Sequence, residues 1–176
     1  MPYAFAIIVS LWLLALCHED LRHRRLPNAL TLGGAAVALV WRLGAGSWPA
    51  FLSGLSGGLL ASLLLILPFL LHSAGGGDVK MLFAVGALVG RGGVLGLLLY
   101  VSLAGLALAL LFLVFGRVDR SRLVHYVRCV FDWRYDRAAG RASLPPKNSE
   151  KARVPFGLAI AAGTWLQFFI PLGIAR

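Results

Sequence analysis

The chain has 176 residues, 59% of them apolar and only 14% charged, with a mean hydropathy of +0.82. Soluble domains run at about 45–50% apolar and about 25% charged, so a solvated globule, a disordered tail and a secreted disulfide scaffold are excluded. A net charge of +10 in a soluble protein would suggest nucleic acid. Here the basic residues lie between apolar runs, where they set topology, and no folded basic module surrounds them. No nucleic acid is expected as a partner. Cys17 and Cys129 are too few for a disulfide framework or a four-thiolate zinc site, and no cofactor or metal is expected.

In chain order, residues 1–17 form a first apolar span. They do not read as a signal peptide, because no positive segment leads them and Leu16 is not the small residue a cleavage site needs. Residues 18–28 form a polar, basic loop closed by Pro27 and Asn28, which break one helix and start the next. A second span covers about 29–43, a Gly/Ser/Pro turn 44–49, and a third span about 51–71. Ser53, Gly54, Gly57, Gly58 and Ala61 give that third span a small-residue face of the kind that lets membrane helices approach closely.

Residues 72–80 then bring Gly75, Gly76, Gly77, Asp78 and Lys80, after which 81–115 is apolar except for Arg91. Such a run is too long for one helix across about 30 Å of hydrocarbon at about 1.5 Å per residue. A break at Gly90, Gly92 and Gly93 leaves a short fourth span and a fifth of normal length. Residues 116–153 are polar, and 154–174 form a sixth span. The expected fold is an all-α polytopic membrane protein with about six transmembrane helices, a single membrane-embedded domain over 1–176 with a basic loop at about 116–153.

Of the seventeen Lys and Arg residues, three fall in 18–28, one in 72–80 and ten in 116–153, against Arg42, Arg91 and Arg176 elsewhere. This asymmetry puts those three loops in the cytoplasm and both termini outside. Within the long loop, Leu123, Val124, Val127, Val130, Phe131 and Trp133 alternate with Arg122, Arg128, Arg134 and Arg137. Segment 120–137 therefore reads as a basic amphipathic helix on the membrane surface, with anionic lipid as its partner; a solvated linker is the blander reading.

Asp119, Asp132, Asp136 and Glu150 lie in the basic loop, where surface pairing accounts for them. Glu19, Asp20 and Asp78 sit at ends of spans. A helix over 79–90 is only about 18 Å long. To bridge the bilayer it would begin beneath the cytoplasmic surface, drawing Gly75, Gly76, Gly77 and Asp78 into the protein as non-helical backbone. The glycines would let another backbone lie close. Asp20 belongs to the same side of the membrane. Two carboxylates meeting at low dielectric do not both ionise readily; sharing one proton makes one a base and the other an acid, the machinery that activates water for peptide hydrolysis. Lys80 either orients Asp78 or snorkels to the interface. Pro27 and Asn28 read as shaping the helix entry, and the glycine run by itself also fits a flexible turn.

Asp20 followed by six residues and Pro27-Asn28, with Gly75-Gly76-Gly77-Asp78-Val79-Lys80 later, resembles the type IV prepilin peptidases, membrane aspartyl proteases with a Gly-x-Gly-Asp motif. Arg153-Val154-Pro155-Phe156-Gly157 is similar to that family's C-terminal signature. The resemblance implies that Asp20 and Asp78 are the catalytic pair, with Gly75, Gly76, Gly77, Lys80, Pro27, Asn28, Pro155 and Gly157 in supporting positions. It implies residence in the bacterial cytoplasmic membrane and prepilin substrates, cut on the cytoplasmic side between a short basic leader and a hydrophobic helix. Larger members add a cysteine-bearing insert and N-methylate the product. Cys17 and Cys129 cannot supply that insert, so the chain is similar to the short forms serving Flp-type pili and is expected to act as a peptidase only.

Other chemistries fit less well. His18-Glu19 lacks the second histidine of H-E-x-x-H. Gly54-Leu55-Ser56-Gly57 resembles a rhomboid serine motif, but that chemistry needs a histidine at matching depth on another helix. His72 ends the same span, and His18, His23 and His125 fall in the loops. A small ion-coupled transporter would place acids near span centres in inverted repeats. A non-catalytic scaffold of pilus assembly is the remaining alternative.

Overall fold

Helix is the dominant state of this chain in a computed structural model, which describes residues 3–23, 26–70, 75–115 and 156–172. Among those residues there are six helices: α1 Tyr3–His23, α2 Asn28–Ala45, α3 Trp48–Leu70, α4 Gly76–Val89, α5 Val94–Val114 and α6 Phe156–Phe169. The helical segments Ala4–His23, Trp48–Ile66 and Val94–Val114 are long and apolar enough to cross a bilayer, and Phe156–Phe169 is a shorter apolar helix. Exposed aliphatic side chains such as Ile7, Val37, Leu63 and Leu103 face outward from these helices. Such all-round apolarity suits a lipid surface. The loop 116–153, with its amphipathic segment, and residues 72–74 lie outside the described residues.

The expected helix boundaries hold at two punctuation points. Pro27, with φ −66° and ψ 137°, stands immediately before α2, and its carbonyl accepts the amides of Leu30 at 3.1 Å and Thr31 at 3.2 Å. At the other break, α4 ends on Gly90, whose φ of +81° is a conformation that side chains with a Cβ avoid. Two boundaries differ from expectation. α1 continues through His18 to His23 instead of stopping at Cys17, because charged residues at a helix end leave the apolar stripe without breaking the backbone ladder. Gly76, Gly77 and Asp78 form the first turn of α4 instead of an irregular segment; only Gly75 is extended, as the N-cap.

The chain divides into two compact units, one of Met1–Gly105 with Pro155–Arg176 and one of Leu106–Val154. In the first unit α4 is the central helix, packed against α2, α3 and α6, while α1 lies against α6 and α2. Its buried core joins Val9, Leu13 and Leu16 of α1 to Met81, Leu82 and Val85 of α4 and Ile160 of α6. The small-residue face of α3 meets α4 as expected. A Cβ on Gly57 would lie 2.7 Å from the Gly86 carbonyl oxygen, and one on Gly86 would lie 2.5 Å from the Ala61 Cβ. These helices therefore touch backbone to backbone.

Candidate active site

Asp20 is buried because of where it falls on α1. Val9, Leu13, Leu16 and Asp20 recur at steps of three and four residues, the spacing of one helix face, and all four are buried. Glu19 is rotated off that face and pairs with His23 Nδ1 at 2.9 Å on the exposed side. Among the described residues no such ion pair exists at Asp20. Its Oδ2 instead accepts a hydrogen bond of 3.0 Å from the backbone N–H of Gly157, the second residue of α6, whose amide has no acceptor within its own helix.

Asp78 is the third residue of α4 and is half-buried. Its amide donates to the Gly75 carbonyl at 3.2 Å. Its carboxylate stands over the N-cap, where a Cβ on Gly75 would lie 3.1 Å from Asp78 Oδ2. An acid in a first turn also faces the positive end of the helix dipole. Lys80, one turn away from the N-cap, donates from Nζ to Asn28 Oδ1 at 2.8 Å. The structure thus gives Lys80 a definite partner at the start of α2.

The expectation that Gly75, Gly76 and Gly77 make room for another backbone is corrected. Side chains occupy that room: a Cβ on Gly77 would lie 2.9 Å from the Leu26 Cβ, and one on Gly76 would lie 3.3 Å from the Phe69 ring. Nor does α4 begin below its neighbours. Its N-terminus stands beside Leu26, just before α2, and Phe69, in the last turn of α3. The shortfall of this helix, about 21 Å long for its 14 residues, lies at the other end. There the Arg91 amide donates to the Ser53 carbonyl at 3.0 Å, five residues inside the start of α3.

Asp20 with Gly157 and Lys80 with Asn28 thus form two pairs near helix ends, Asp78 standing two residues before Lys80. Leu16, Met81 and Ile160, about one turn from Asp20, Asp78 and Gly157 respectively, are fully buried members of the hydrophobic core. Pro27 takes part through its carbonyl, as the acceptor of α2's first amides. Pro155 lies outside the described residues.

A family model, that of the type IV leader peptidase family, matches residues 7–110. The chain belongs to that family. The matched range holds Asp20, Pro27, Asn28 and the whole of Gly75 to Lys80, and stops before Pro155 and Gly157. Neither a curated protein nor a solved structure matches the chain. Among the described residues of this leader peptidase family member the carboxylates are Glu19, Asp20 and Asp78. Ser56 donates to the Ser53 carbonyl of its own helix at 3.2 Å, a packing role in the small-residue face.

Arg42 does more than set topology. Arg42, in the last turn of α2, donates from Nη1 to the Ala50 carbonyl at 3.3 Å and from Nη2 to the Leu88 carbonyl at 3.1 Å. Its guanidinium lies against Gly90 and its Cδ against Gly54, so it ties the ends of α2, α3 and α4 together. The signal available in the sequence was a lone cation in an apolar run, with nearby glycines to admit it. An apolar cavity of about 860 Å³ lies between α1 and α2, lined by Phe5, Ile8, Trp12, Gly33, Val37 and Trp41 among others. Neither aspartate lines it.

Proposed function

We propose that the protein is an aspartyl endopeptidase that removes the basic leader from Flp-type prepilins, using Asp20 and Asp78 to activate water. The observation that carries this reading is Asp20 itself: a carboxylate 7% exposed in an apolar bundle, anchored by a backbone amide. Buried acids in membrane helices are costly and tend to mark function. Membership of a leader peptidase family supplies the reaction class, and the matched range 7–110 holds both aspartates.

In the proposed reaction one carboxylate accepts a proton from water while the carboxyl group of the other protonates the carbonyl oxygen of the leader bond. Water oxygen adds to the carbonyl carbon. The tetrahedral adduct then collapses: the amine takes the proton that the first carboxylate received, the C–N bond breaks, and a hydroxyl of the adduct returns its proton to the second carboxylate. The products are a leader ending in a carboxyl group and a pilin with a free amino terminus. Lys80, Asn28, Pro27 and the three glycines hold the start of α4 against that of α2. Six helices span the bilayer in this reading, forming one peptidase domain with the basic loops cytoplasmic, segment 120–137 on anionic lipid, and no methyl transfer.

The test is co-expression with a Flp-type prepilin and mass measurement of the product. Asp20→Asn and Asp78→Asn should each abolish cleavage while membrane insertion persists, and Glu19→Gln should retain most of it. Efficient processing by either Asn variant rejects the dyad.

A further inference from the structure

We propose that the backbone amide of Gly157 positions the Asp20 carboxylate and determines which of its oxygens handles the proton; this rests on the aspartyl-peptidase reading above. An N–H group can only donate. The oxygen it meets, Asp20 Oδ2 at 3.0 Å, is therefore an acceptor, and because an unprotonated oxygen accepts more strongly than a hydroxyl, the amide favours Oδ1 as the place of any proton that Asp20 carries. Oδ1 is then the atom that exchanges a proton with water. The amide fixes the rotation of the carboxylate as well as its place.

Three features suit Gly157 to this task. Its N–H is one of the donors at the start of α6 that the helix cannot use itself, and it carries the positive end of the helix dipole toward a carboxylate. The helix start is itself braced, since the Phe156 ring packs where a Cβ on Gly105 would lie 3.1 Å from it. Finally, a Cβ on Gly157 would lie 2.6 Å from Asp20 Oδ2 and 3.1 Å from Cγ. The φ of Gly157 is outside the left-handed region, so the backbone would accept another residue. What requires glycine here is the closeness of the carboxylate.

The experiment measures kcat and KM for cleavage of a Flp-type prepilin by the purified full chain in detergent. Gly157→Ala should lower kcat about a hundredfold, the scale of an approximately 1 Å misplacement, with KM changed less than about twofold. Gly163→Ala is the packing control: its Cβ would lie 2.6 Å from the Val101 amide nitrogen, so it should reduce folded yield while kcat per folded molecule stays near wild type. A variant with an ester in place of the Gly157 amide replaces the N–H donor with an oxygen of similar size; it should lower kcat about tenfold or more, as expected for losing a hydrogen bond to a charged group. Wild-type kcat in the ester variant, with Asp20→Asn inactive, overturns the positioning role and leaves the dyad standing. Cleavage by Asp20→Asn overturns the dyad itself.

Discussion

Lys80 and Asn28 are 52 positions apart, yet their side chains meet at 2.8 Å and join α4, just past its first turn, to the start of α2. The contact is exposed, so its energy is modest, about 0.2–1 kcal/mol for comparable exposed pairs. Its value lies in where it acts, two residues from Asp78. If the tether is what Lys80 supplies, Lys80→Met and Asn28→Ala should slow prepilin cleavage by similar factors, at most about fivefold. The double variant should then be no slower than either single one, since both remove the same contact. A loss confined to Lys80→Met would assign the ammonium a direct electrostatic effect on Asp78 instead. Both aspartates were legible in the sequence because acids are scarce in apolar surroundings. The burial of Asp20 but not Glu19 follows from the face that Val9, Leu13 and Leu16 define. The Gly157 contact was not legible as such: spacing cannot reveal an amide that meets a carboxylate 137 positions away.

At the scale of the helices, α3 and α4 depend on glycine for contact. A Cβ on Gly86 would meet the Ala61 Cβ at 2.5 Å and the Gly57 carbonyl oxygen at 2.6 Å, whereas one on Gly33 of α2 would meet nothing within 4 Å. Gly86→Ala should therefore lower unfolding stability in detergent by about 1–3 kcal/mol, the range of overpacked cores. Gly33→Ala should leave it unchanged or raise it by up to about 1 kcal/mol, through the better helix propensity of alanine. Equal effects in denaturant titrations would contradict the close α3–α4 approach. The small-residue stripe and the break at Gly90 were readable because glycine has few reasons to recur in an apolar helix. The first turn of α4 was not. Glycine is a poor helix former in helix interiors, but the first residues of a helix need no acceptor for their amides, so the usual argument against glycine weakens there.

For the molecule as a whole, the central helix is held unequally at its two ends. At the far end from Asp78, the Arg42 guanidinium grips the Leu88 carbonyl at 3.1 Å, and the Gly90 amide closes on the Gly86 carbonyl at 2.8 Å. At the near end the N-cap is a bare glycine with no side-chain bond to the helix, and the amides of Asp78 and Val79 reach the Gly75 carbonyl at 3.2 and 3.5 Å. Local opening follows such differences in support. The first-turn amides of α4 should open more readily than those beside Arg42, while the Lys80–Asn28 contact at 2.8 Å limits how far that opening spreads along the helix. Deuterium uptake by the detergent-solubilised protein should accordingly be faster at the amides of Gly77 to Val79 than at Ala87 to Gly90, by about tenfold or more for an opening difference of about 1.4 kcal/mol. Arg42→Ala should narrow that gap by loosening the far end. Uniform protection along α4 would mean that both ends are held alike.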